Sequence, residues 1–301
     1  MSAAPVVVVT GAGGFVGGYL ARWFASRGYP VAATVRRVRP SSGFPPGVSV
    51  LPGDLRQPGL LPDRFDVLIH CAAETPSTCA DPGELLASNV EAARMLFAQA
   101  RAARARAVVF LSSMSVYGDI TVPVVTEALP PVDPNPYGRS KAEGEALLEA
   151  AAASGLPSGL SIRLPGTVGR GSHDNFLSEA LARARRGETL TARHPDALFN
   201  NIVFVGDLAC FLEAWINAPR PGYTVTNLAA SEPMTFRALF AHVFACLRLP
   251  ERIQYETIGK SPFLISTDRA RALGYHAPTV TESVSAFVRD CLCTEADVVR
   301  A

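Results

Sequence analysis

The sequence has almost no excess charge of either sign: 28 Lys and Arg stand against 27 Asp and Glu, a formal net charge of +1. No global field would draw nucleic acid or an anionic membrane surface, so any anion site must be local. Arginines do gather locally, at Arg36, Arg37 and Arg39, at Arg101, Arg104 and Arg106, and at Arg183, Arg185 and Arg186. Long apolar runs are also missing. Nothing approaches the ~20 residues of a membrane span, and the opening MSAAPVVVVTG offers four valines before a glycine turn, without a cationic start or cleavage site. The expectation is a cytoplasmic protein that does not enter a membrane. The few cysteines (Cys71, Cys79, Cys210, Cys246, Cys291 and Cys293) are scattered, and Cys291-Leu-Cys293 lacks the second pair that a zinc site requires, so reduced packing thiols and no metal are expected. No fixed-period repeat is present, which excludes a solenoid. With 48% hydrophobic and 18% charged residues, disorder is excluded as well.

What is present is an alternation of short apolar runs with longer Ala/Leu/Arg-rich segments, the pattern of a parallel sheet with helical crossovers. Strands are expected at 6–10, 31–35, 48–51, 67–71, 108–112, 161–163 and 202–205, and helices at 16–26, 82–103, 140–153, 175–186 and 207–217. The fold class is therefore α/β, a doubly wound Rossmann-type parallel sheet with its ligand at the carboxyl ends of the strands. After Leu164 a Gly/Pro/polar loop breaks the pattern. The expected division is a dinucleotide-binding domain over 1–164, completed by about 200–218, and a smaller, discontinuous substrate lobe over 165–199 and 219–301.

Thr10-Gly11-Ala12-Gly13-Gly14-Phe15-Val16-Gly17 directly follows the valine run and opens a helical pattern. Strand, glycine turn and helix N-terminus let backbone N–H groups and the helix dipole approach a pyrophosphate without obstruction by Cβ atoms. The second strand ends Ala33-Thr34-Val35-Arg36-Arg37, with no acid to bond ribose hydroxyls. A guanidinium there fits a 2′-phosphate, so NADP is the preferred cofactor and NAD the alternative. Further on, Leu111-Ser112-Ser113-Met114-Ser115-Val116-Tyr117-Gly118 ends a strand, and Tyr137-Gly138-Arg139-Ser140-Lys141 opens a helix. A tyrosine and a lysine four apart share one helix face, so the ammonium can sit beneath the phenol, lower its pKa and make it a general acid.

At these motifs the chain resembles the extended short-chain dehydrogenase/reductase family, with its T-G-x-x-G-x-x-G fingerprint. The resemblance implies an enzyme in which Ser113 bonds the substrate oxygen, Tyr137 transfers its proton and Lys141 also holds the nicotinamide ribose. It extends cofactor binding from Gly11, Gly14, Phe15, Val16, Gly17 and Arg36 to Asp54 and Leu55 after the third strand, to Cys71, Ala72 and Ala73 after the fourth, and to Asn89 and Pro165. It implies substrate contacts at Ser113, Met114, Ser115, Asn175 and Arg193, and a homodimer through the helices over 82–103 and 140–153.

Sugar dehydratases of that family carry an acidic pair where Met114 and Ser115 stand, so elimination of water is disfavoured. A reductase of a 4-keto sugar exchanging NADPH at each turnover fits slightly better than a nucleotide-sugar 4-epimerase with retained NAD. A ketone reductase of a non-sugar alcohol, and a regulator that senses NADP without turnover, remain alternatives. The family's R-D-F-x-H-V-D-D run reads Asn200-Asn201-Ile202-Val203-Phe204-Val205-Gly206-Asp207 here, without its arginine and histidine, so Arg193, Arg170 or His194 would have to meet a diphosphate.

Overall fold

The computed structural model describes residues 4–37, 43–257 and 262–293, and Arg39 lies outside them. The chain forms two compact units: Met1–Asp119, Glu127–Leu164 and Ala209–Thr226 make the first, and Ile120–Thr126, Pro165–Leu208 and Asn227–Ala301 the second.

The first unit is built on strands β1 (Val7–Thr10), β2 (Val31–Val35), β3 (Val48–Pro52), β4 (Val67–His70), β5 (Ala107–Ser113), β7 (Ser158–Leu164) and β12 (Gly222–Asn227). Their order is β12-β7-β5-β4-β1-β2-β3, and the pairs from β7 to β3 are parallel. Val7 to Val9, Val67 to Ile69 and Ala107 to Val109 are fully buried. Such a sheet is covered on both faces, so its strands read as continuous β-branched runs instead of alternating ones.

Helix α1 (Phe15–Ser26) follows β1, α2 (Pro82–Ala102) precedes β5 and α3 (Pro136–Ala153) precedes β7. In α2, Asp81 accepts from the Gly83 and Glu84 N–H groups; in α3, Asn135 accepts from that of Gly138, and each helix has proline at its start. Helix α3 therefore begins four residues before the expected Ser140. The Pro-rich run looks like a break, but a proline at the first helical position sacrifices no hydrogen bond, because that N–H has no acceptor within the helix. As a result Tyr137 lies in the first helical turn. Under α2 and α3, Leu96, Phe97, Phe110 and Leu148 pack in one cluster.

In the second unit β6 (Val124–Val125) pairs with β15 (Leu264–Ile265), β8 (Gly166–Val168) with β11 (Ile202–Phe204), β9 (Leu190–Arg193) with β14 (Ile253–Glu256), and β10 (Leu198–Phe199) with β13 (Met234–Thr235). Helices α4 (Phe176–Arg185), α6 (Phe236–Leu247), α7 (Asp268–Ala272) and α8 (Val280–Leu292) complete it. Its core includes Leu181, Phe240, Phe244 and Phe287. Helix α5 (Val205–Asn217) carries the chain from this unit back to the first.

One strand expectation is corrected. Residues 202–205 resemble a further strand of the large sheet, yet Ile202–Phe204 pairs with Gly166–Val168. The edge of the large sheet is β12, within residues expected to belong to the substrate lobe. Four of its six residues are not fully buried, and a half-exposed edge strand lacks the apolar run that marks the interior ones. Among the described residues no helix is long and apolar enough to cross a membrane.

Candidate active site

The glycine turn after β1 is sterically closed to side chains. A Cβ at Gly17 would lie 2.5 Å from the Gly11 carbonyl oxygen, and one at Gly11, whose φ is +68°, would lie 2.7 Å from Ala72 Cα. The loop is thereby pressed onto the segment after β4, where the Cys71 and Ala72 N–H groups donate to Thr10 Oγ1 at 3.1 and 3.3 Å. This diversion ends β4 at His70, one residue before the expected Cys71. Helix α1 starts at Phe15, preceded by Gly14, with no side-chain cap and no acid in its first turn, so the N–H groups around Phe15 and Val16 keep their dipole open to an anion. These features fit a dinucleotide, whose nicotinamide supplies hydride chemistry when bound.

Around this loop the expected residues come together. Asn89 on α2 donates to the Glu74 carbonyl (2.9 Å) and to Ser140 Oγ (3.0 Å) and accepts from the Glu74 N–H (2.7 Å), tying the loop after β4 to α3. Asp54 is held by Arg56, whose Nη2 lies 2.6 Å from Oδ2, and this hydrogen bonding lowers the carboxyl pKa to about 2. Leu55 packs against the core cluster. Arg36 forms an ion pair with Glu74.

The hydroxyl of Ser113, at the end of β5, donates to Ser115 Oγ at 3.1 Å and accepts from the Ser115 N–H at 3.1 Å. Met114 and Ser115 open the 3-10 turn Met114–Tyr117. Lys141 is buried, with Nζ donating to the Leu111 carbonyl at 2.8 Å and lying 5.6 Å from the Tyr137 ring centroid. The expectation that lysine lowers the phenol is corrected here: burial pushes Tyr137 up, and the Ser113 hydroxyl opposes it. Burial also draws Lys141 down to about 8, against the pull of Cys71 and Glu145. With its ammonium turned to a backbone carbonyl, Lys141 leaves the phenol protonated at neutral pH.

Sequence reasoning missed the groups behind these residues. Glu145, one turn beyond Lys141, accepts from Ser112 Oγ at 2.5 Å and from Arg163 Nη2 at 2.7 Å. Arg163 Nη1 in turn donates to the Tyr117 hydroxyl at 2.8 Å. Arg163, near the end of β7, is thus a half-buried member of the first unit, within the 1–164 domain expected for it. Burial pushes the Cys71 thiol up to about 12.

His70 shares a 2.8 Å hydrogen bond with Thr10; burial, aided by Lys141, holds its imidazole down to about 3. Neutral when folded but protonated near pH 6.5 when unfolded, it makes stability rise with pH across that interval. Lowering the pH from about 7 to about 5 should cost roughly 2 kcal/mol through this group. Urea denaturation at both pH values checks this: His70→Asn should flatten the difference, and an unchanged slope refutes the assignment.

The expected second-unit contacts are placed less tellingly. Asn175 caps α4, accepting from the Ser178 N–H at 2.9 Å and donating to the His173 carbonyl at 3.2 Å. Arg193 ends β9 exposed and Pro165 stands between β7 and β8. Asn200, in the run that lacks the family's arginine, is buried and bonds the Ile265 backbone in both directions, at 2.9 and 3.0 Å.

The chain is 30% identical over 167 residues to a UDP-glucose 4-epimerase of Azospirillum brasilense, covering 52% of this chain and 48% of that protein. It thus spans about half the length of such epimerases. It is 29% identical over 283 residues to a 2′-dehydrokanamycin reductase of Streptomyces kanamyceticus, covering 87% of this chain and 74% of that one. A structure described as MoeE5 in complex with UDP-glucose and NAD superposes with a TM-score of 0.78 at 25% identity, covering 95% and 98% of the two chains. Residues 7–229 match the profile of a single family, and with the glycine turn and the Ser113, Tyr137 and Lys141 cluster inside that span, the chain belongs to the NAD dependent epimerase/dehydratase family.

Proposed function

We propose that the protein reduces the ketone of a nucleotide-linked 4-keto sugar, with NADPH as the preferred cofactor and Tyr137 as proton donor. The observation that carries this reading is the placement of Tyr137 in the first turn of α3, with Lys141 one turn on and its Nζ 5.6 Å from the phenol ring centroid. Burial raises the phenol pKa, so that it stays protonated. A protonated phenol is an acid, suited to giving its proton to a carbonyl oxygen while the carbon receives a hydride. Ser113 orients that oxygen, and Lys141 holds positive charge beneath it. Met114 and Ser115, where an elimination needs carboxylates, and the similarity to a reductase over most of the chain support the same direction. The active form is a homodimer pairing through α2 and α3.

The similarity to 4-epimerases favours a second reading, oxidation and re-reduction of a sugar on a retained cofactor. Mass spectrometry of the dinucleotide released on denaturation separates the two. An empty protein that prefers NADPH, and loses that preference in Arg36→Ala, is the expected result. Stoichiometric NAD that does not exchange in the native protein makes the enzyme an epimerase.

A further inference from the structure

In the order β4-β1-β2 the segments following β4 and β2 flank the glycine loop from opposite sides, with backbones about 10 Å apart at two strand spacings. Glu74 follows β4 and Arg36 follows β2, yet their side chains meet in an ion pair. The partners are unequally anchored. The Glu74 backbone is held by Asn89 at both its N–H and carbonyl, and its Oε2 accepts from Thr78 Oγ1 at 2.8 Å. Its side chain is 18% exposed, against 72% for Arg36. The other nearby carboxylate, Asp54, is taken by Arg56 through contacts of 2.6, 3.0 and 3.1 Å. Arg36 is therefore the movable arm and Glu74 the fixed acceptor.

We propose that Glu74 is a selectivity residue that competes with the 2′-phosphate of a dinucleotide for the Arg36 guanidinium. The inference rests on the reading of the glycine loop as a dinucleotide site. A guanidinium fork matches carboxylate and phosphate alike, so either acceptor can take Arg36. Binding of the phosphorylated cofactor breaks the Glu74 pair, whereas the unphosphorylated one leaves it intact. Glu74 thereby narrows a preference that Arg36 alone would make larger. The narrowing is modest, because an exposed ion pair shifts an equilibrium by no more than about fivefold.

Fluorescence titration of the purified full chain with NADPH and NADH tests this in the wild type, Glu74→Gln, Arg36→Ala and the double variant. Glutamine keeps the shape of the side chain, and the Asn89 bonds are to backbone, so the loop stays in place. Glu74→Gln should tighten NADPH about three- to fivefold and change NADH less than about twofold, with the gain lost when Arg36 is absent. Equal effects on both dinucleotides, no effect on NADPH, or a gain that persists without Arg36 overturns the competition while leaving the cofactor site intact. If neither dinucleotide binds the wild type, the cofactor reading fails, and this inference with it.

Discussion

Replacing Tyr137 with phenylalanine is expected to lower kcat/KM by about 10²- to 10⁴-fold, the range associated with a positioned general acid, while leaving dinucleotide affinity within about twofold by titration. The expectation follows from placement. Helix α3 is capped by Asn135 one residue before Pro136, which puts the phenol in a rigid first turn facing Ser113, and the substitution removes only the hydroxyl. A rate within about threefold of the wild type would remove Tyr137 from the chemistry and revive the regulator reading, because a sensor of NADP needs the fold and the glycine loop but no proton donor.

Glu145→Gln carries the largest expected cost in stability. Arg163 and Glu145 have side chains only 12% and 9% exposed and meet at 2.7 Å. Removing the carboxylate leaves a guanidinium largely out of water with no counter-charge, which typically costs about 3–5 kcal/mol. The partner Tyr117 hydroxyl and Ser112 would lose their fixed geometry with it. Chemical denaturation measures the loss, and the double variant Glu145→Leu with Arg163→Met should recover most of it, since a buried ion pair exchanged for apolar groups of similar volume is often neutral. A loss below about 1 kcal/mol in the single variant would show that the pair is hydrated. The network abuts Ser113 through Ser112, so its integrity and the geometry of the reacting groups stand or fall together.

Local chemistry determined a large share of this protein by itself. The apolar runs of β1 and β4 are legible as buried parallel strands because both faces are covered. Glycine at 11 and 17 is legible because no Cβ fits the turn, and Tyr137 and Lys141 are legible as a pair because residues four apart share one face of one helix, whereas the role of Ser113 is implied only by the family resemblance. Tertiary structure alone decided the rest. That Arg36 meets Glu74 depends on β1 lying between β2 and β4, an arrangement invisible in a run of residues. That Ile202–Phe204 leaves the large sheet to β12 depends on which partner strand is nearer in space. That Tyr137 is raised instead of lowered depends on burial and on where the Lys141 ammonium points, and both are properties of the packed core. Spacing within one element is written along the chain, while partners contributed by distant elements exist only once the chain has folded.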